Sequence, residues 1–201
     1  MGNEEDRSFE QWWDSRLTEV RTVLEGLASV QALVAQGARM LWETLESGRR
    51  IFLFGNGGSA AQAAHIAAEL VGRFRTDHRP LPAFALTVNP ASLTAIANDF
   101  GYEQVFARQL EALARPGDLA IALSTSGRSR NVLVAVETAR QLGLKSLAIT
   151  GAHGDPLCER VDLCLRIPSD DPARIQEATL VIAHLWCEYL ESRFPKEALH
   201  D

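Results

Sequence analysis

From about residue 50 onward, the chain alternates short apolar runs with stretches of helical periodicity. The runs are Ile51-Phe52-Leu53-Phe54, Ala83-Phe84-Ala85-Leu86, Leu119 to Leu123, Ser146-Leu147-Ala148-Ile149 and Leu163 to Ile167. Four of the five are almost continuously apolar, as expected of strands covered by helices on both faces. Helical segments are predicted over 60–73, 91–114, 129–142 and 155–160, with a last helix from about Ala173 to Phe194. This alternation predicts an α/β fold: a doubly wound, mainly parallel five-stranded sheet of flavodoxin-like form. Ligands on such a sheet bind at the carboxyl ends of the strands.

The segment from Ser8 to Ser47 has helical periodicity throughout, with Gly26 and Gly37 as weak points, so two helices or one interrupted helix are predicted. Its apolar residues include Trp12, Trp13, Leu17, Val20, Val23, Leu24 and Leu27. That is more than a solvent-facing helix needs, and it points to packing on another chain or on the core. The organisation expected is one domain, with residues 1–48 as a helical extension and 49–201 as the α/β core.

Composition narrows the function classes. Apolar residues make up 46% and charged residues 23% of the 201, ordinary for a globular protein. A formal charge of −6 disfavours nucleic acid and anionic membrane as partners, since both need a basic excess. No apolar run reaches membrane-spanning length. The first ten residues are acidic, with no hydrophobic signal core, and a cytoplasmic setting is expected. Cys158, Cys164 and Cys187 are odd in number and lack CxxC spacing, so free thiols are expected.

Two loops carry candidate chemistry. Gly55-Asn56-Gly57-Gly58-Ser59-Ala60 follows the first strand and opens a helix, where backbone N–H groups can approach an anion. It also fits a dinucleotide-binding GxGxxA pattern. That reading needs an acidic residue ending the second strand, and the chain has Leu86-Thr87-Val88-Asn89 there. The second loop, Ser124-Thr125-Ser126-Gly127-Arg128-Ser129, lies between the third strand and the next helix. A helix N-cap accounts for one hydroxyl but not four, so a phosphate cradle is the better reading. Asn98-Asp99 precedes Phe100-Gly101 and is compatible with an ordinary turn.

The string Gly55-Asn56-Gly57-Gly58-Ser59, then Asn98-Asp99, then Ser124-Thr125-Ser126-Gly127, then Ala173-Arg174-Ile175-Gln176-Glu177 resembles the sugar isomerase (SIS) domain family. Within it, the resemblance is to the aldose–ketose isomerases of seven-carbon sugar phosphates, and it covers nearly the whole chain. It implies a homotetramer with one zinc ion per subunit, supplying nucleotide-activated heptose synthesis. The implied metal ligands are His65, Glu69, Gln176 and His184. Implied substrate contacts are Asn56, Gly57, Gly58, Ser59, Glu69, Asn98, Asp99, Ser124, Thr125, Ser126, Ser129 and Gln176. Arg128 departs from the family pattern, which usually has Asn at that place. A regulatory branch of the same fold, which binds a replication initiator, lacks the carboxylate and the final histidine; this chain keeps both.

His65 and Glu69 are spaced i, i+4 and share one helix face. Pairing of Glu69 with Arg73 is the plain alternative. Gln176 and His184 are eight residues apart, about 12 Å along a helix, which is awkward for two ligands of one ion unless two subunits contribute. Aldose–ketose interconversion moves a proton between C1 and C2 through an enediol. A base must take the carbon-bound proton and a second group must serve the oxygens; Glu69 and His184 are the expected pair.

Overall fold

The computed structural model describes residues 4–195. Five strands, β1 (Ile51–Gly55), β2 (Ala83–Ala85), β3 (Leu119–Leu123), β4 (Lys145–Thr150) and β5 (Leu163–Arg166), form one sheet in the order β2-β1-β3-β4-β5. Every pairing is parallel. Chain order reverses between β1 and β3, so a crevice opens at their carboxyl ends. The glycine loop follows β1 there, and the Ser/Thr loop follows β3.

The continuous apolar runs are explained by burial on both faces. Ile51 and Leu53 face one core cluster with α2 (Gln31–Glu46), α3 (Gly58–Val71) and α8 (Pro172–Glu191). Phe52 and Phe54 face the other, with α5 (Ala107–Leu113) and α6 (Arg130–Gln141). Two helices begin where local chemistry dictates. Asn89 caps α4 (Pro90–Phe100) by accepting from Ser92 N–H, and Asp171 caps α8 by accepting from Ala173 N–H, each with proline at the first helical position.

The N-terminal segment is α1 (Glu4–Gly26), a 3-10 turn at Leu27–Val30, and α2. The break therefore comes directly after Gly26, while Gly37 lies inside α2 because a larger side chain there would strike the Trp186 ring. Trp186 Nε1–H donates to Val34 O at 2.9 Å, and the Arg174 guanidinium donates through Nη1–H to Arg16 O at 3.3 Å. Both bonds tie the extension to α8.

Three expectations need correction. The helix predicted over 91–114 is divided: α4 ends at Gly101, a 3-10 turn covers Tyr102–Gln104, and α5 follows. Asn98 and Asp99 thus sit in the last turns of α4 rather than after it. The cysteines are not all free: Cys158, at the end of the one-turn α7 (Asp155–Cys158), returns onto β5 and forms a disulfide with Cys164 across a Cα–Cα distance of 5.2 Å. Cys187 is free and buried as expected.

Candidate active site

The Ser/Thr loop turns on Gly127, whose φ is +63° and whose Cα approaches Gly154 so closely that an added Cβ would stand 2.6 Å from Gly154 Cα. Only glycine meets both conditions. The loop is anchored by its backbone: Ser124 N–H donates to Ile149 O and Gly151 N–H donates to Thr125 O. Ser129 occupies the N-cap of α6 yet makes no side-chain capping bond; its Oγ lies 3.4 Å from that of Ser124. Ser126 Oγ accepts from Arg128 N–H at 3.2 Å, a local turn bond. Helix capping therefore does not account for Ser129.

A cavity of about 130 Å³ opens beside the loop, lined by Thr125, Ser126, Arg128, His153 and Asp170. His153 Nδ1 is 2.6 Å from Asp170 Oδ1, which leaves Nε2 at the cavity as a second polar group beside Arg128. His153 is not among the candidates named from the sequence. The pairing with Asp170 carried no motif.

Across the crevice, Asn56 is locked into place. Its amide exchanges two hydrogen bonds with the buried Asn131 (2.9 and 2.8 Å), and Tyr102 Oη–H donates to Asn56 Oδ1 at 3.0 Å. Neither Asn131 nor Tyr102 was a sequence candidate. Ser59 is buried, and Gly58 is open except where the Gln176 amide lies over it: a Cβ at Gly58 would stand 2.5–2.6 Å from that amide's nitrogen and oxygen. Gln62 Nε2–H donates to Gln176 O at 2.6 Å, fixing α8 against α3. The side chains of Asn98 and Asp99 are exposed and, among the described residues, bond only each other (2.8 Å).

The pairing of α3 with α8 also brings His65, Glu69 and His184 together. His65 Nε2 stands 3.0 Å from His184 Nε2 and 3.6 Å from Glu69 Oε1. Among the ion pairs of the described residues, Glu69 pairs with His65 and not with Arg73. Two imidazole nitrogens bound to one tetrahedral zinc at about 2.0–2.1 Å would be separated by roughly 3.3 Å, close to the spacing found. The set is nonetheless not a finished cage: among the described residues no three His, Cys, Asp or Glu side chains are grouped as one. Cys187 is buried on α8 near this cluster, and burial, then the charges of Glu69 and Glu191, push its thiol up to about 12.

Gln176 does not join this cluster. It covers Gly58 at the start of α3, whereas Glu69 lies eleven residues along the same helix, about 16 Å on. One chain therefore holds Gln176 over the start of α3, apart from a His/Glu/His cluster whose His65 side chain is 42% exposed. His78 is buried in the segment after α3; His200 lies outside the described residues.

Residues 17–151 match the SIS domain. The chain belongs to the SIS-domain family. Within this family it is 47% identical over 190 residues to the phosphoheptose isomerase of Roseiflexus sp. strain RS-1, covering 94% of this chain and 96% of that protein. It is also 47% identical over 167 residues to the phosphoheptose isomerase of Akkermansia muciniphila, covering 83% and 88%. The solved phosphoheptose isomerase of Francisella tularensis superposes with a TM-score of 0.88 at 35% identity, covering 92% of this chain and 98% of that one. Similarity to these SIS isomerases extends well past the 17–151 match, into the segment that carries α8.

Proposed function

We propose that the chain is an aldose–ketose isomerase converting D-sedoheptulose 7-phosphate to D-glycero-D-manno-heptose 7-phosphate. The observation that carries this reading is the meeting of His65, Glu69 and His184 where α3 packs on α8, in a SIS chain that also keeps the Ser/Thr loop after β3. A phosphate-binding regulator would need the loop but not the cluster. In the reaction, the Glu69 carboxylate takes a proton from C1. The electron pair of the broken C–H bond forms the C1=C2 double bond, and the C2 oxygen gains a proton from His184, giving the enediol. The proton on the C1 oxygen then leaves through the same imidazole, and Glu69 returns its proton to C2. No proton is gained or lost overall. The test is to follow the sugar phosphate by carbon-13 NMR: the ketone carbon should give way to aldose anomeric carbons, and an unchanged ketose overturns the reading.

His65, Glu69 and His184 would hold one zinc ion per subunit between turnovers, with Gln176 contributed by a second chain; Glu69 and His184 would each have to leave the ion to carry a proton. Such an ion would polarise the carbonyl and stabilise negative charge on the oxygens. Asn56, Gly57, Gly58, Ser59, Asn98 and Asp99 would contact the sugar. The hydroxyls of Ser124, Thr125, Ser126 and Ser129 would hold the phosphate. Ser126→Ala should raise KM roughly 10- to 150-fold, the equivalent of one hydrogen bond to a charged group at about 1.5–3 kcal/mol. Unchanged KM and unchanged affinity for the sugar phosphate would remove Ser126 from the cradle.

The assembly is proposed to be a homotetramer, with each active site completed between chains. Phe9, Trp12 and Trp13 on α1 are 59%, 54% and 51% exposed, and α4 has no buried residue of its own. Large aromatics in a contiguous exposed stripe mark an interaction surface. Replacing Trp12 and Trp13 together by Glu should yield smaller species on sedimentation and abolish turnover. A fully active monomer would overturn the shared site. The proposed compartment is the cytoplasm, where charge retains sugar phosphates. No helix among the described residues is long and apolar enough to cross a membrane.

A further inference from the structure

The segment after α3 has no regular structure, and Gly72 to Thr76 are largely exposed, yet its backbone is firmly bound. The N–H groups of Phe74, Arg75 and Thr76 all donate to Glu191 Oε1, at 2.9, 2.8 and 3.1 Å, and Thr76 N–H also reaches Oε2 at 3.2 Å. Three consecutive N–H groups converging on one carboxylate form an anion nest filled by the protein's own side chain. Glu191 is the last residue of α8 and is 6% exposed; a carboxylate so placed is costly to bury unless it is hydrogen-bonded. Burial pushes its carboxyl up, but the N–H groups of Arg75, Thr76 and Phe74 outweigh that and leave it below the ordinary range. The far end of the segment is tied to the same place. His78 is buried with Nε2 4.0 Å from Glu191 and Nδ1 2.7 Å from Arg79 O, and Arg79 N–H donates to Phe194 O.

The nest seats Phe74. Its ring lies over the His184 imidazole, with centroids 5.0 Å apart and planes 30° from parallel. On its other side, His184 meets His65 edge-on at 5.3 Å and 67°. Glu191 is seven residues beyond His184, about 10 Å along α8, and Phe74 is the residue that touches both the nest and the imidazole.

We propose that Glu191 is a positioning residue: by gathering the N–H groups of Phe74, Arg75 and Thr76 it holds the Phe74 ring against His184 and so fixes the plane in which His184 Nε2 faces His65. This rests on the isomerase reading only for its kinetic consequence. A site needs its working groups held by packed neighbours that are themselves locked, and here the lock is a chain of two residues. An aromatic ring is needed at position 74; beside the backbone bonds, the Arg75 side chain pairs with Glu188 at 3.1 Å and the buried His78 side chain anchors the far end.

The test is a double-mutant cycle on the full chain with Glu191→Gln, Phe74→Ala and the pair, plus Phe74→Tyr as the conservative variant. Long-range imidazole NMR of the metal-free protein is read alongside, with His184 assigned by its loss in His184→Gln. Both single variants should shift the His184 signals in the same direction and leave His153 unmoved. Each should lower kcat about tenfold with KM within twofold, since the phosphate loop is untouched. The pair should lose no more than either single, because both act on one path, and Phe74→Tyr should behave as wild type. Unmoved His184 signals in both variants, multiplying effects, or a wild-type kcat in Phe74→Ala would each overturn the proposal. Should Glu191→Gln fail to fold, the Phe74 variants decide alone. If the wild-type chain does not turn over the heptose phosphate, the isomerase reading fails while the imidazole signals still judge the positioning role.

Discussion

Replacing Glu69 by Gln should reduce kcat by about 10²–10⁴-fold, the usual loss for a general base, while substrate affinity stays near wild type. The variant keeps the size of the side chain and one oxygen that faces His65, now 3.6 Å away. It loses only the capacity to accept a carbon-bound proton. Stopped-flow or steady-state kinetics on the variant, with zinc content measured in parallel, check this. If Glu69→Gln retains near-normal turnover with full metal, Glu69 is only a ligand or a structural partner and the base lies elsewhere. His184→Gln is the necessary companion. It should also lose turnover, but together with metal, because it removes one of the two facing imidazole nitrogens.

Gly127→Ala should be the most damaging single change in the phosphate loop. An alanine at φ +63° costs roughly 1–2 kcal/mol in backbone strain. Its Cβ would also fall 2.6–2.9 Å from backbone atoms of Gly154, which have no side chain to move aside. The turn must open, and the hydroxyls of Ser126 and Ser129 on either side of it move with it. Loss of two charge-assisted bonds, about 3–6 kcal/mol, corresponds to a rise in KM of about 10²–10⁴-fold. Global stability should fall far less, because the loop contributes little to either core cluster. A KM within threefold of wild type would show that the loop does not grip the phosphate.

Much of this architecture was legible in the residues, and for identifiable reasons. Strands β1, β3 and β4 are buried on both faces, so their near-continuous apolar runs stand out from any helix period. The two loops announce themselves through residue types that a plain turn does not need. His65 and Glu69 declare a shared face by their spacing alone. Other features depend on contacts between distant segments. Asn56 and Asn131 are 75 residues apart and hold each other by amide pairing; nothing local marks either as half of a pair. Glu191 reads as an ordinary polar residue at a helix end until its three backbone donors, more than a hundred residues away, are in place. The Cys158–Cys164 pairing was hidden because six residues of separation are compatible with free thiols unless a tight turn returns the chain. The eight-residue gap between Gln176 and His184 matches their separation in the structure, where Gln176 lies over Gly58 and His184 faces His65.

The isomerase reading depends on one chemical event, transfer of a carbon-bound proton. The most direct measurement is incubation of the wild-type protein with sedoheptulose 7-phosphate in heavy water, with and without a metal chelator, reading the sugar carbons by proton NMR and mass spectrometry. The account predicts deuterium at C2 of the aldose product and at C1 of recovered ketose, with exchange suppressed by the chelator. Sugar phosphate bound by the Ser/Thr loop but recovered without deuterium would contradict it and identify the chain as a binding protein.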